Sequence, residues 1–311
     1  MSSACDPTED GQGMSSARGL IEDGQGLCFE HVGGEEAEFL YHEIFVRRSY
    51  LAHGVQLPLT GSPTVIDVGA NIGLFALFCA RENPRCRIVA VEPAPAAFAA
   101  LERNLSHLRH AHCVERALAD SALAHGRLTV YADAPGESSR HPRERTMQRA
   151  RLREAAGSSN SAAAAAGPAA EVVTCAVGTL SALLDERAIR RVDLLKIDCE
   201  GDELRVLRGL TAADMRRVHQ VVAEVHDVHG RLAATVALLR RHGFTVRTAR
   251  QHADSTVAGY RMVVPRELRL FFVFARRNPQ RRSVRRAAPL LRLRATESTA
   301  TLRARRPLSQ G

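Results

Sequence analysis

Between residues 35 and 51 the chain reads EEAEFLYHEIFVRRSYL, with Phe39, Leu40, Ile44 and Phe45 recurring at helical spacing among charged residues. That spacing predicts a helical cover that leads into the first core strand. From Thr64 the period changes. TVIDVG is a β-branched apolar run that gives way to helical spacing over 73–82, and RIVAVEP precedes a helix over 95–108. HCVERALAD is followed by RLTVYAD rather than by a helix. After residue 170 come EVVTCAV, a TLSALLDE helix, VDLLKID, a helix over 202–209, HQVVAEVH, a helix over 231–242, FTVRTAR and LRLFFVFA. Strand and helix in alternation predict an α/β fold, a parallel sheet with helices on both faces. The last two apolar runs have no clear helix between them and predict an antiparallel pair.

Two regions fall outside this pattern. Residues 133–170 mix charge clusters, a Gly-Ser turn and an alanine run without a wide apolar face, which predicts a flexible insertion. The first 26 residues are two copies of a 13-residue unit, MSSACDPTEDGQG and MSSARGLIEDGQG, identical at nine positions. Two copies are too few for a solenoid. The expected organisation is a disordered tail over 1–34, one domain over 35–277 and a disordered Arg-rich tail over 278–311.

Composition narrows the class. A chain of 311 residues with 45% hydrophobic content can bury a catalytic-sized core and is neither fibrous nor disordered in type. Its seven cysteines never form a CxxC pair, so they read as reduced thiols rather than as a disulfide framework or a zinc site. The longest apolar runs, such as 270–275, fall far short of the roughly 20 residues that span a bilayer, and no signal pattern opens the chain. No membrane partner and a cytoplasmic location are therefore expected. The net charge of +9 is local: residues 276–311 hold eleven arginines and one glutamate, which leaves the body near neutral and makes nucleic acid an unfavoured partner. Of 43 basic residues, only Lys196 is a lysine. In so arginine-rich a chain, position 196 is expected to need a compact ammonium rather than a planar fork.

The chemistry clusters at predicted strand ends. In VIDVGANIG, Gly69 and Gly73 allow close backbone approach at a helix N-terminus, an arrangement suited to a nucleotide-like ligand. Glu92 closes the next strand, 23 residues after Gly69. Its two acceptor oxygens suit vicinal ribose hydroxyls. In VDLLKIDCEG, Lys196 and Asp198 share one side of a strand, with Glu200 in the following turn. In AEVHD, Glu224 and His226 likewise share a side, at a strand end expected beside Asp198. These groups read either as a self-satisfied ion-pair network or as a reaction centre, because unpaired buried charge is costly. In the second reading His226 or Asp198 takes a proton from an acceptor hydroxyl. A metal variant of it uses Asp198 and Glu224, with or without His226, to hold a divalent cation. His107, His110 and His112 lie in a polar link and read as solvated.

The runs VIDVGANIGLF, VAVEP and LLKIDCEGDELRVLRGL together resemble the FkbM family of class I S-adenosylmethionine-dependent methyltransferases. The resemblance extends from EFLYHEIF near residue 38 to FVFARR near 277, the insertion excluded, and is greatest to members found with polyketide and peptide synthetases. It implies a Rossmann-like sheet of seven strands with the last strand antiparallel, S-adenosyl-L-methionine as methyl donor, and a hydroxyl oxygen as the usual acceptor. Position by position, it implies Asp67, Gly69, Asn71 and Gly73 at the turn that meets the donor's methionine part, and Glu92 at the ribose. Asp120 is the candidate for the adenine-contacting acid, with Ala117 and Leu118 packing on the ring as the alternative. Lys196, Asp198, Glu224 and His226 form the candidate catalytic set. The expected substrate is a small-molecule or carrier-tethered polyketide, peptide or sugar hydroxyl. Metal is not favoured, and any metal would sit on Asp198 and Glu224. Tyr41, His42 and Glu43, with the region around residue 131, are expected to roof the acceptor. A non-catalytic donor-binding protein and an RNA-associated factor using the tail remain as alternatives. An NAD-dependent dehydrogenase is disfavoured because GANIG lacks the usual first GxG pair.

Overall fold

The computed structural model describes residues 18–131, 135–155, 170–251, 254–257, 260–263 and 269–277. Residues 1–17 of the repeat and the Arg-rich segment lie outside the described residues. The chain enters through an antiparallel hairpin, β1 (Arg18–Glu22) and β2 (Cys28–Val32), in register from Arg18↔Val32 to Glu22↔Cys28. The disordered tail expected up to residue 34 is thus corrected from residue 18 onward. The hairpin is held because Phe29 is buried, 1% exposed, and because the Asn104 side chain bonds both the N–H and the C=O of Glu30, at 2.7 and 2.9 Å. Helix α1 (Gly34–Tyr41) follows and passes into a π-helical turn over His42–Val46.

Next come β3 (Thr64–Val68), α2 (Leu74–Glu82), β4 (Arg87–Val91), α3 (Pro95–Leu105) and β5 (Ala111–Val114), the strands running parallel. Every residue of β3 is buried, as a central parallel strand covered on both faces requires. Then come β6 (Ala117–Ala119) and β7 (Leu123–Tyr131). HCVERALAD is therefore two strands, the first in the main sheet and the second outside it. A 3-10 turn over Pro135–Glu137 leads into α4 (Pro142–Ala155), and β8 (Ala170–Thr179) returns to form a three-stranded sheet in the order β6-β8-β7. The insertion expected to be flexible is therefore helical over 142–155.

The chain continues as α5 (Leu180–Glu186), β9 (Leu194–Ile197), α6 (Glu203–Arg208), α7 (Ala212–Met215), β10 (Gln220–His226), α8 (Arg231–Arg241) and β11 (Phe244–Arg250). A short hairpin of β12 (Asp254–Val257) and β13 (Tyr260–Val263) precedes β14 (Leu270–Arg277). The main sheet has seven strands in the order β11-β14-β10-β9-β3-β4-β5, with β14 antiparallel to both neighbours. This is the α/β class and the antiparallel closing pair that the sequence pattern predicts. No helix among the described residues is long and apolar enough to cross a membrane.

Strand alternation divides the core between the two sheet faces. Ile66, Val68, Leu195 and Ile197 pack with Leu183, Leu207 and Leu239 on one face. Val65 and Leu194 pack with Phe29, Ile44, Tyr50 and Phe75 on the other. Asp67 and Lys196 fall on this second face by the same alternation. Tyr50 is fixed edge-on between Phe75 and Phe272, with centroids 5.5 and 5.4 Å away. The hairpin and cover segment thus close the face of the sheet on which the site lies.

Candidate active site

The turn after β3 reverses hard against β9. Gly69 has φ +74°, and a Cβ built on it would lie 1.6 Å from the Asp198 carbonyl oxygen, so only glycine fits. The Gly69 and Ala70 amides donate to Val91 O at 2.9 and 3.0 Å, which ties the turn to β4. Gly73, at φ +93°, caps α2, and a Cβ there would meet Leu101 at 2.7 Å. Asn71 also takes a left-handed conformation, at φ +48°, and its Oδ1 is buried with no hydrogen-bond partner among the described residues.

Glu92 follows β4 directly and accepts the Asn71 N–H and the Ala94 N–H, each at 2.9 Å. Burial pushes its pKa up to about 7 against those two bonds. Each of its oxygens keeps a further lone pair for a ligand. Turn and carboxylate open on one cavity of about 540 Å³, within the size usual for small-molecule sites. The cavity runs on past Asp198 to Glu224 and His226, under Phe39, Leu40 and Glu43 of the cover.

Parallel register sets Asp67 directly beside Lys196. The ammonium lies 3.1 Å from Asp67 Oδ1, donates to Gly69 O at 2.7 Å and stands 3.8 Å from Asp198 Oδ2. It also lies 5.4 Å from the Tyr50 ring centroid. Burial opposes the lysine charge, but Asp67 and Asp198 outweigh it and hold the pKa above the ordinary lysine value. Asp67 itself is fully buried and does not line the cavity. It stands behind Lys196, 3.1 Å from the ammonium, and not on the wall where the resemblance implies a direct contact. Asp198 is on the wall and accepts the Tyr50 hydroxyl at 2.7 Å.

His226 sits between two carboxylates, Nε2 at 3.0 Å from Glu200 and Nδ1 at 3.2 Å from Glu203. Burial opposes its charge, but the carboxylates prevail and hold its pKa well above the ordinary value. With a carboxylate on each ring nitrogen, His226 has no nitrogen left to face an acceptor hydroxyl, a geometry that suits an ion-pair role better than the expected role as base. Glu200 shows the complement: burial works against its charge, yet Arg145 and His226 bring its pKa down to about 2. Glu224 lines the cavity too, and burial, reinforced by Asp198 and Glu43, drives its pKa well up.

Asp120 is corrected as well. It is paired with Arg205 at 2.8 Å on an exposed side and is not on the cavity wall, whereas Ala117 and Leu118 are. Of the expected roof, Glu43 lines the cavity. Tyr41 instead stacks on Phe45 with centroids 4.7 Å apart and donates to Asp23 at 2.8 Å, and His42 is not on the wall. Burial and then the Asp198 charge push the Glu43 pKa up to about 7, while Gln251 donates to its Oε1 at 3.2 Å. Sequence reasoning missed Tyr50, Glu36 and the insertion's wall residues. Glu36 accepts the Gly136 N–H at 3.0 Å, Arg140 pairs with Asp202 at 2.9 Å and Arg145 with Glu200 at 2.8 Å. No spacing motif could have announced contacts between such distant segments. Among the described residues, no three or more His, Cys, Asp or Glu side chains are grouped to hold a metal ion.

A Rossmann-like sheet, a glycine turn and a strand-end carboxylate opening on one cavity are the arrangement of a nucleotide-binding α/β protein. Residues 67–246 match the Methyltransferase FkbM domain, and the chain belongs to the FkbM methyltransferase family. It is 43% identical over 228 residues to the 31-O-demethyl-FK506 methyltransferase FkbM of Streptomyces tacrolimicus, covering 71% of this chain and 86% of that one. Methyltransferase 1 of Beauveria bassiana is 32% identical over 248 residues, covering 78% and 91%. The AMB antimetabolite synthetase AmbE of Pseudomonas aeruginosa is 37% identical over 239 residues, covering 68% of this chain and 11% of that protein.

Proposed function

We propose that the chain transfers a methyl group from S-adenosyl-L-methionine to a hydroxyl oxygen of a small polyketide, peptide or sugar molecule in the cytoplasm. The observation that carries this reading is the one cavity joining the Gly69–Glu92 turn to carboxylates at the ends of β9 and β10 and in the cover. The residues fit the donor: Gly69 leaves no room for a side chain, Asn71 Oδ1 is a buried acceptor in want of a donor, and Glu92 offers two acceptor oxygens. When bound, S-adenosylmethionine supplies an electrophilic methyl group, which leaves the protein to provide alignment and dryness. Glu92 holds the ribose hydroxyls and Asn71 meets the amino-acid end. Ala117 and Leu118 give the adenine an apolar wall. Phe39, Leu40 and Ile44 exclude water from the acceptor half. Glu43, with a pKa about 7, is suited to take the hydroxyl proton. Asp198, held by Tyr50 and Lys196, orients the hydroxyl.

Hydroxyl as acceptor is supported by the name of the Streptomyces relative, which places the transferred methyl on an oxygen. A carrier-tethered acceptor is supported by the match to a stretch of a synthetase. The test is a mass spectrometric assay with S-adenosylmethionine and a hydroxylated macrolactone, a serine peptide and a hexopyranoside, each free and as a carrier thioester where a carboxyl allows it. A gain of one methylene on oxygen, unchanged by EDTA or added Mg²⁺, is expected. Transfer only to nitrogen or carbon, or to none of these compounds, overturns the proposal, and loss of activity on chelation would overturn the metal-free reading.

A further inference from the structure

Helix α4 carries charge on nearly every turn, and its sequence PRERTMQRARLREA has no apolar face. It nevertheless places two buried side chains on the cavity wall, Arg145 and Gln148, each 7% exposed. The Arg145 guanidinium reaches Glu137 at 2.7 Å and Glu200 at 2.8 Å, and its Nη1 donates to Gln148 Oε1 at 3.2 Å. A guanidinium has donors only, so it settles the orientation of the carboxamide: the oxygen faces Arg145 and the NH₂ group turns away. Gln148 makes no other hydrogen bond among the described residues. Two oriented donors thus stand on a largely buried side chain in the cavity, with nothing of the described chain to receive them. Gln148 lines the cavity, and a ligand oxygen entering there is the natural complement to its NH₂ group.

We propose that Gln148 is a specificity residue that donates from its NH₂ group to a carbonyl or ether oxygen of the methyl acceptor, and that Arg145 positions it. The inference rests on reading this cavity as a methyl-transfer site. It makes the acceptor a molecule with a second, hydrogen-bond-accepting oxygen near the hydroxyl that is methylated. An apolar alcohol lacking that oxygen would leave the donors buried and unpaired, and would bind worse for that reason.

The test uses the full chain with the macrolactone, serine peptide and hexopyranoside as probes, comparing wild type, Gln148→Leu and Gln148→Glu. Glutamate keeps the bond to Arg145 but has no N–H to give. Both variants are expected to raise the acceptor KM about tenfold or more, with kcat and the calorimetric Kd for S-adenosylmethionine unchanged. If Gln148→Glu behaves as wild type while Gln148→Leu fails, the residue only anchors α4 and the proposal is wrong. Wild-type KM values in both variants also overturn it. A wild type that methylates none of the three probes refutes the underlying reading and this inference with it, and the two failures are thereby told apart.

Discussion

Lys196 shows what a single side chain can be asked to do. Its ammonium reaches a buried carboxylate and a backbone carbonyl at once, at 3.1 and 2.7 Å, a pairing that suits a compact point charge. Its isolation among arginines made it legible in the sequence, and register made Asp198, Glu224 and Glu92 legible too, because strand ends in a parallel sheet lie side by side. Tyr50 and Gln148 were beyond such reasoning, and Glu43 was legible only as a roof residue, not as a proton acceptor. They arrive from the cover and the insertion, where no fixed spacing relates them to the strands. The pairing of His226 was equally hidden, since Glu200 reaches it from the turn after β9 and Glu203 from the start of α6, by a path the sequence does not show. At this scale the prediction concerns Glu43. A carboxamide in place of its carboxylate would keep the shape and lose the proton acceptor: Glu43→Gln is expected to lower kcat about 100-fold with donor Kd unchanged, read by steady-state kinetics and calorimetry. A kcat within about twofold of wild type would remove Glu43 from the proton transfer.

The elements divide by what holds them. Strands β3, β4, β9 and β10 are held by apolar burial on both faces, and that pattern is written in the sequence. Helix α4 is held by ion pairs, Arg145 to Glu200 at 2.8 Å and Arg231 to Glu144 at 2.9 Å, so a search for an apolar face overlooks it. The hairpin β1–β2 was hidden by the repeat, whose second copy runs through β1 and reads as a tail. Two of its residues, Phe29 and Val32, are nonetheless buried in the core. Phe29 stacks 6.1 Å from Tyr41 and packs under the cover, so Phe29→Ala is expected to cost about 3–5 kcal/mol by urea unfolding. A loss under about 1 kcal/mol would show the hairpin to be an ornament on the domain rather than part of its core.

For the molecule as a whole, the buried carboxyls set the dependence of stability on pH. Glu36, Glu43 and Glu92 have folded pKa values raised from 4.5 to about 8, about 7 and about 7, by burial first in each case. Folded chains keep these protons where unfolded chains have lost them, so the stabilisation is complete below 4.5 and is lost as pH rises through 7 to 8. His226, raised above 6.5 by its carboxylates despite burial, contributes below 6.5 and loses that contribution as pH rises through its folded value. Glu200, lowered to about 2, acts in the opposite sense: its contribution is present above 4.5 and lost as pH falls through 2. The thermal midpoint is therefore expected to be lower at about pH 9 than at about pH 6, by scanning calorimetry. A midpoint that rises over this range would contradict the assigned protonation.

Central to the proposed function is a donor seated between the Gly69 turn and Glu92. The most direct test is titration calorimetry of wild type and Glu92→Ala with S-adenosyl-L-methionine, and of wild type with NAD. One saturable site for S-adenosylmethionine, weakened about 10- to 100-fold by the substitution, with no heat from NAD, is the predicted result. Equal affinity in both proteins, or no binding of S-adenosylmethionine to the wild type, would contradict it.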